Sequence, residues 1–135
     1  MASVPEDLIA YLDPLVSETG GTDLFEGPAP ERPANVVAIT HYDGEPALAR
    51  TMGASLSVSG VEVTLVQLFV RHSVMATAKT KADAYHALLD NLSGTLNGRV
   101  YYQIESMDSM PYSIGQDGEA LWRYVCNFRC QHKRS

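Results

Sequence analysis

Apolar side chains recur at steps of three and four in two parts of this chain, and they alternate with polar ones in several others. Leu8, Tyr11, Leu12 and Leu15 form one stripe at helical spacing. Ser3 to Glu6 reads S-x-x-E, a capping box that starts a helix, and Pro5 is tolerated in its first turn. Asp13-Pro14 is expected to loosen this helix, because a residue before proline avoids the α region. Gly20-Gly21 is expected to end it. Ala78, Ala82, Tyr85, Leu89 and Leu92 predict a second helix over 76–92, with Lys79, Lys81, Asp83 and Asp90 off the stripe and Gly94 as its stop.

The remaining segments read as strands and connections. Residues 23–26 form a short extended piece, and Pro28, Pro30 and Pro33 make an extended link. Residues 35–42 are rich in β-branched side chains and predict a strand closed by a turn at Asp43-Gly44. Residues 61–71 are apolar on both faces around Leu65, Val66, Leu68 and Phe69, as in a central covered strand. Asn97-Gly98 predicts a turn into a strand over 99–107, with Val100, Tyr102 and Ile104 on one face. A link of about fourteen residues holds Pro111, Gly115 and Gly118. The last strand, 121–131, points Trp122, Tyr124, Cys126, Phe128 and Cys130 one way and Arg123, Asn127, Arg129 and Gln131 the other, with Val125 the exception. Residues 45–59, small and polar, read as a long loop, and 132–135 as a tail.

The order α, β, β, β, α, β, β predicts one α+β domain over 1–135. It would hold a mainly antiparallel sheet of four to five strands, with two main α-helices packed on one face. A chain of 135 residues buries roughly two-thirds of its unfolded surface, enough for one core. No apolar run of about 18 residues occurs, so no membrane partner is expected. Residues 1–6 lack a basic patch followed by an apolar stretch, so no secretion signal is expected.

Charge adds an asymmetry. The net charge is −6, yet residues 1–45 carry nine acids against Arg32 alone, and residues 46–135 carry seven acids and nine bases. The acidic balance weighs against tight, sequence-reading DNA contact. A head-to-tail contact between an acidic face of one copy and a basic face of the next is compatible with it.

Candidate chemistry is sparse. Cys126 and Cys130 are four apart on a predicted strand, about 13 Å, whereas a disulfide needs Cα atoms within about 7 Å. Buried reduced thiols are therefore expected. His41, His72, His86 and His132 fall in separate elements, with no H-E-x-x-H or C-x-x-C spacing. Gly115-Gln-Asp-Gly118 is a turn and not a phosphate loop, and Asn91-Leu-Ser93 is a chance glycosylation match. No acid/base carboxylate pair is apparent. No catalytic, metal-binding or cofactor-binding residue is assigned, and no enzyme activity is expected.

Three stretches together resemble a family of phage structural proteins, the tail terminators, often labelled minor capsid proteins. They are the N-terminal helix with Asp23-Leu-Phe-Glu-Gly-Pro28 and Pro33-Ala-Asn-Val-Val-Ala-Ile39; the strand 61–71 leading into helix 76–92 and Leu96-Asn-Gly98; and Met110-Pro111, Ile114-Gly-Gln-Asp-Gly118 and Trp122-Arg-Tyr-Val-Cys-Asn-Phe128. The likeness runs from about residue 6 to residue 130. It departs at Gln116, near which similar sequences often carry arginine.

The resemblance implies a ring, typically a hexamer, on the head-proximal end of the tail tube of a long-tailed phage. That ring would stop polymerisation of the major tail tube protein and receive a head-completion (connector) protein, while genomic DNA passes through its lumen unread. It would be made in the bacterial cytoplasm and reside in the virion. The expected assembly contacts are Glu45, Arg50 and Met52 in the long loop, Tyr112, Gln116 and Asp117 in the 110–118 turn, and Arg99. The alternatives are another head–tail connector subunit, such as a head-completion or stopper protein, or a small cytosolic α+β enzyme or ligand-binding domain. The last would show a deep pocket and depend on His41, His86 or Cys126.

Overall fold

A computed structural model describes residues 3–45 and 61–133. Helix α1 (Val4–Leu12) begins at the predicted capping box: Ser3 Oγ accepts from the Glu6 amide, and Glu6 accepts from the Ser3 amide. It ends before Pro14 in a 3-10 turn, Asp13–Leu15. The strands are β1 (Leu24–Glu26), β2 (Val36–Glu45), β3 (Val61–His72), β4 (Leu92–Leu96), β5 (Arg99–Ser106), β6 (Tyr112–Gln116) and β7 (Trp122–Lys133), and helix α2 spans Met75–Leu89.

The sheet order is β1-β2-β3-β7-β5-β4, with β6 also paired to β7. Every pairing is antiparallel except β1 with β2. The α+β class and the mainly antiparallel sheet are as expected. Among the described residues the strand number is seven rather than four to five, because β4 and β6 lie in stretches read as helix end and as link.

Both helices pack on one face. The core joins Leu8 and Leu12 of α1 and Ala78, Ala82, Tyr85 and Leu89 of α2 to Val66, Leu68 and Val70 of β3 and Tyr124, Cys126, Phe128 and Cys130 of β7. Register explains the match: Val66 faces Phe128, Leu68 faces Cys126 and Val70 faces Tyr124, so the inward residues of two central strands form one surface. Helix α1 touches β1 and β2 at one edge and β4 at the other. The sheet therefore curls around it.

Four readings are corrected here. Leu15 is exposed, because the 3-10 turn rotates it off the stripe of Leu8 and Leu12. Asp43-Gly44 does not turn the chain: β2 runs through it to Glu45 across a bulge at His41/Asp43. Helix α2 stops at Leu89, since Asn91 takes a positive φ of 62° and Leu92 pairs with Ile104. On β5 it is Tyr101 and Ile104 that are buried, with Val100 and Tyr102 exposed. A bulge between Tyr101 and Gln103 inserts one residue and inverts the alternation. The Asn97-Gly98 turn stands as read, with φ of 51° and 85°, the left-handed pair that a two-residue hairpin needs.

Among the described residues the opposite face carries no helix, and two loops fold over part of it. Arg71 lies here and is buried. Its Nε donates to Ala34 O at 2.9 Å, and its Nη2 donates to Pro30 O at 2.5 Å, Pro33 O at 2.8 Å and Glu31 O at 3.3 Å. The proline-rich link is thus held against β3. Asp108 does the same for the link after β5: its Oδ2 accepts from the Asn127 amide at 2.9 Å.

Two buried carboxylates tie the helices to other segments: Asp7 joins α1 to β5, and Glu18 joins the segment after α1 to α2. Asp7 of α1 accepts from Tyr101 Oη at 2.5 Å and Asn97 Nδ2 at 3.0 Å, with Arg99 Nε 3.4 Å away. Glu18 accepts from Tyr85 Oη at 2.6 Å and pairs with Lys81. Burial alone would raise the Glu18 pKa. Hydrogen bonds from Lys81 and Tyr85 outweigh it and hold the carboxyl below its ordinary 4.5. A depressed carboxylate stabilises the fold above its unfolded pKa, and this is lost as pH falls through the folded value. Urea unfolding between pH 6 and 3 should therefore show a steeper loss of stability below pH 4.5 in the native chain than in Glu18→Gln. At pH 7 that variant should be weaker by about 1–2 kcal/mol, through its poorer pairing with Lys81 and Tyr85.

Candidate assembly surface

The surface that stands out is built by the segment after β5. Strand β6 pairs only with the first residues of β7, Tyr112 with Val125 and Gln116 with Trp122. Arg123 secures it by donating to the carbonyls of Ile114, Gly115 and Gln116 at 3.2–3.5 Å. Among the described residues no strand pairs with the other edge of β6. Met107, Met110, Tyr112 and Ile114 are all substantially exposed along this segment. An edge strand next to several exposed apolar side chains is a feature soluble proteins cover or use.

The expected contact residues fall differently. Tyr112 belongs to this apolar strip, 43% exposed. Gln116 and Asp117 close the hairpin behind it. Gln116 Nε2 donates to Ala120 O at 3.2 Å, and Asp117 Oδ1 accepts from the Glu119 and Leu121 amides at 2.8 and 3.1 Å. Those backbone donors, that of Leu121 first, hold the Asp117 carboxyl below its ordinary pKa. Arg99 is buried beside Asp7 and works inside the fold. Glu45 ends β2 opposite Val63. Arg50 and Met52, and the 45–59 loop beyond Glu45, lie outside the described residues. Sequence reading missed Met107, Met110 and Ile114. For Met110 and Ile114 the signal was a large apolar residue in a link; Met107 stood at the end of a predicted strand.

Among the described residues the groups that could carry chemistry are dispersed, and His86 Nε2 is buried without a hydrogen-bond partner. Among the described residues no group of three or more His, Cys, Asp or Glu is placed to hold a metal ion. An open groove of about 550 Å³ runs past the start of α1 and strands β2, β3 and β7, lined in part by Thr40, His41, Thr64, Arg99 and His132. His132 is bonded at both ring nitrogens, to Thr64 Oγ1 at 2.8 Å and to Lys133 O at 2.9 Å. Burial holds its pKa below the usual value. His41 is exposed on β2, and His86 sits on α2 with its ring 5.9 Å from Phe128.

Cys126 and Cys130 are buried, unpaired thiols. Burial raises both pKa values, that of Cys130 to about 12. Both are therefore protonated at neutral pH and shielded, and only the thiolate is nucleophilic. A thiol reagent such as DTNB should label neither over minutes in the native protein and both in denaturant. Rapid native labelling would contradict the burial.

No family model and no curated protein sequence matches the chain. Among solved structures, it shares its fold with a chain described as "Virion of native gene transfer agent (GTA) particle". The TM-score is 0.61 at 18% identity, over 98% of this chain and 86% of that one.

Proposed function

We propose that this protein is a structural subunit of a phage-like virion that caps the head-proximal end of the tail tube as a ring. One observation carries the reading: over nearly its whole length the chain shares its fold with a chain of a gene transfer agent virion. The β6 edge, which pairs with no further strand among the described residues, and its apolar strip support it, since a ring subunit needs a surface that is incomplete until a neighbour arrives. The sheet and helices, joined by one core, supply the rigid body that holds this surface at fixed radius. A ring with two chemically different faces ends a polymer: one face accepts the last tube layer, and the other presents nothing a further tube subunit recognises. In this reading the major tail tube protein and a head-completion protein are its neighbours, and DNA crosses the lumen through weak, sequence-independent contacts.

Particles produced without the chain test this by electron microscopy. The expected result is tails of uncontrolled length, or tails of normal width that fail to join heads. Tails of normal length on complete particles would overturn the proposal.

A further inference from the structure

We infer that Asn97-Gly98 is a modification site. The Asn97 side-chain amide hydrolyses through a cyclic imide, and the carboxylate formed there breaks the tie between α1 and the β4–β5 hairpin.

The chain holds four asparagines, Asn35, Asn91, Asn97 and Asn127, and of these Asn97 alone is followed by glycine. The others precede Val36, Leu92 and Phe128, whose side chains crowd the next backbone nitrogen. Asn97 and Gly98 are both exposed, and nothing lies within 4 Å of the place a Gly98 side chain would take. The hairpin they close sits at the rim of the sheet. Among the described residues β4 pairs with β5 alone, its ladder is broken between Leu92 and Gly94, and Ser93, Gly94 and Thr95 are exposed. An exposed edge segment of this kind opens locally at a small cost in free energy. In the closed turn the bond to Asp7 holds the Asn97 amide in place, so the reaction runs from the opened hairpin.

Water is the one co-reactant. The Gly98 backbone nitrogen attacks Asn97 Cγ, the Cγ–Nδ2 bond breaks, and Nδ2 leaves as ammonia with the proton that the backbone nitrogen gives up. Water then opens the imide ring at either carbonyl. One opening leaves an ordinary aspartate, and the other leaves an isoaspartate, whose backbone is longer by one carbon. Nothing is oxidised or reduced.

The fold makes the product matter. Asn97 Nδ2 donates to Asp7 Oδ1 at 3.0 Å, and Asp7 is buried. A carboxylate at position 97 puts an acceptor where that donor stood, so two like charges meet in place of a hydrogen bond. The isoaspartate also lengthens a turn whose residues hold φ of 51° and 85°, and so displaces the pairing of Leu96 with Arg99. Both products loosen α1 from β5. The reaction does not reverse in water, so the converted fraction records the age of the chain.

To test this, the full-length chain is held warm at mildly alkaline pH while peptide mass spectrometry follows all four asparagines. Asn97 should convert several-fold faster than each of the others, with isoaspartate among the products. Conversion no faster than at Asn127 would overturn the site. Thermal melts of variants read the coupling to Asp7. Asn97→Asp should melt about 5 °C or more below the native chain, and Asn97→Gly, which removes the bond and adds no charge, should fall less. Asp7→Asn should lower the Tm of the native chain but raise that of Asn97→Asp, because the swapped pair again sets one donor against one acceptor. Should Asp7→Asn alone fail to fold, a folded double variant makes the same point. An equal fall from Asp7→Asn in both backgrounds, or an Asn97→Asp chain that melts with the native one, would overturn the coupling.

Discussion

Asp7→Ala is expected to weaken the fold by about 3–5 kcal/mol, because it strips the partner from a buried charge and a buried phenol at once. Asp7 is 1% exposed, with Tyr101 Oη at 2.5 Å, Asn97 Nδ2 at 3.0 Å and Arg99 Nε at 3.4 Å. Burial, and then the Asp7 hydrogen bond, raises the Tyr101 pKa, so the phenol stays a donor and cannot relieve the loss by ionising. The alanine variant would leave the Arg99 guanidinium, itself 7% exposed, without that counter-charge. The effect also reaches topology, since Asp7 is the polar tie between α1 and the β4–β5 end of the curled sheet. For a chain of this size the change should appear as a fall of roughly 10–20 °C in Tm. Tyr101→Phe should cost less, about 1–3 kcal/mol, and the double variant should fall short of the sum because the two residues share one bond. A shift below about 1 kcal/mol for Asp7→Ala would mean that water reaches the site.

Arg71→Ala should cost about 2–4 kcal/mol, by freeing the carbonyls that its guanidinium gathers on the sheet face opposite α1 and α2. Those acceptors belong to Pro30, Glu31, Pro33 and Ala34. A link with three prolines cannot replace that tether with a strand ladder, since proline lacks the backbone donor. The loss should therefore show locally as well as globally. Cleavage by an added protease within 28–34 should accelerate more than cleavage elsewhere. Arg71→Lys should recover only part of the stability, because an ammonium is one point charge where the guanidinium spreads donors across a plane. Equal protease rates in native and alanine chains would show that the link is held by its own conformation.

The corrections share a cause with these predictions. The inverted face of β5 was not legible in Val100, Tyr102 and Ile104, because nothing within the segment marks the bulge between Tyr101 and Gln103. The bulge satisfies two neighbours, β4 and β7, whose demands come from elsewhere in the chain. Strand β6 was hidden for a related reason. Pro111 and Gly115 mark a turn by composition, and Gly115 does adopt φ 83°. The segment becomes a strand because β7 offers it an edge and Arg123 holds its carbonyls. As for the assembly surface, the sequence directed attention to the 110–118 stretch and named Tyr112, Gln116 and Asp117, but not Ile114. The structure uses Gln116 and Asp117 to close the hairpin and leaves apolar Tyr112 and Ile114 outward.

What the sequence determined by itself was local. The capping box set where α1 starts, the alternation from Trp122 to Cys130 set which face of β7 is buried, and Asn97-Gly98 set a tight hairpin. Each of these free energies is decided within a few residues. Tertiary structure alone decided the bulges, the added strands and the roles of Asp7, Arg71 and Arg99. Asp7 meets Tyr101 across 94 positions of chain, and a charge is drawn into a core only where such distant partners converge to offset its loss of water.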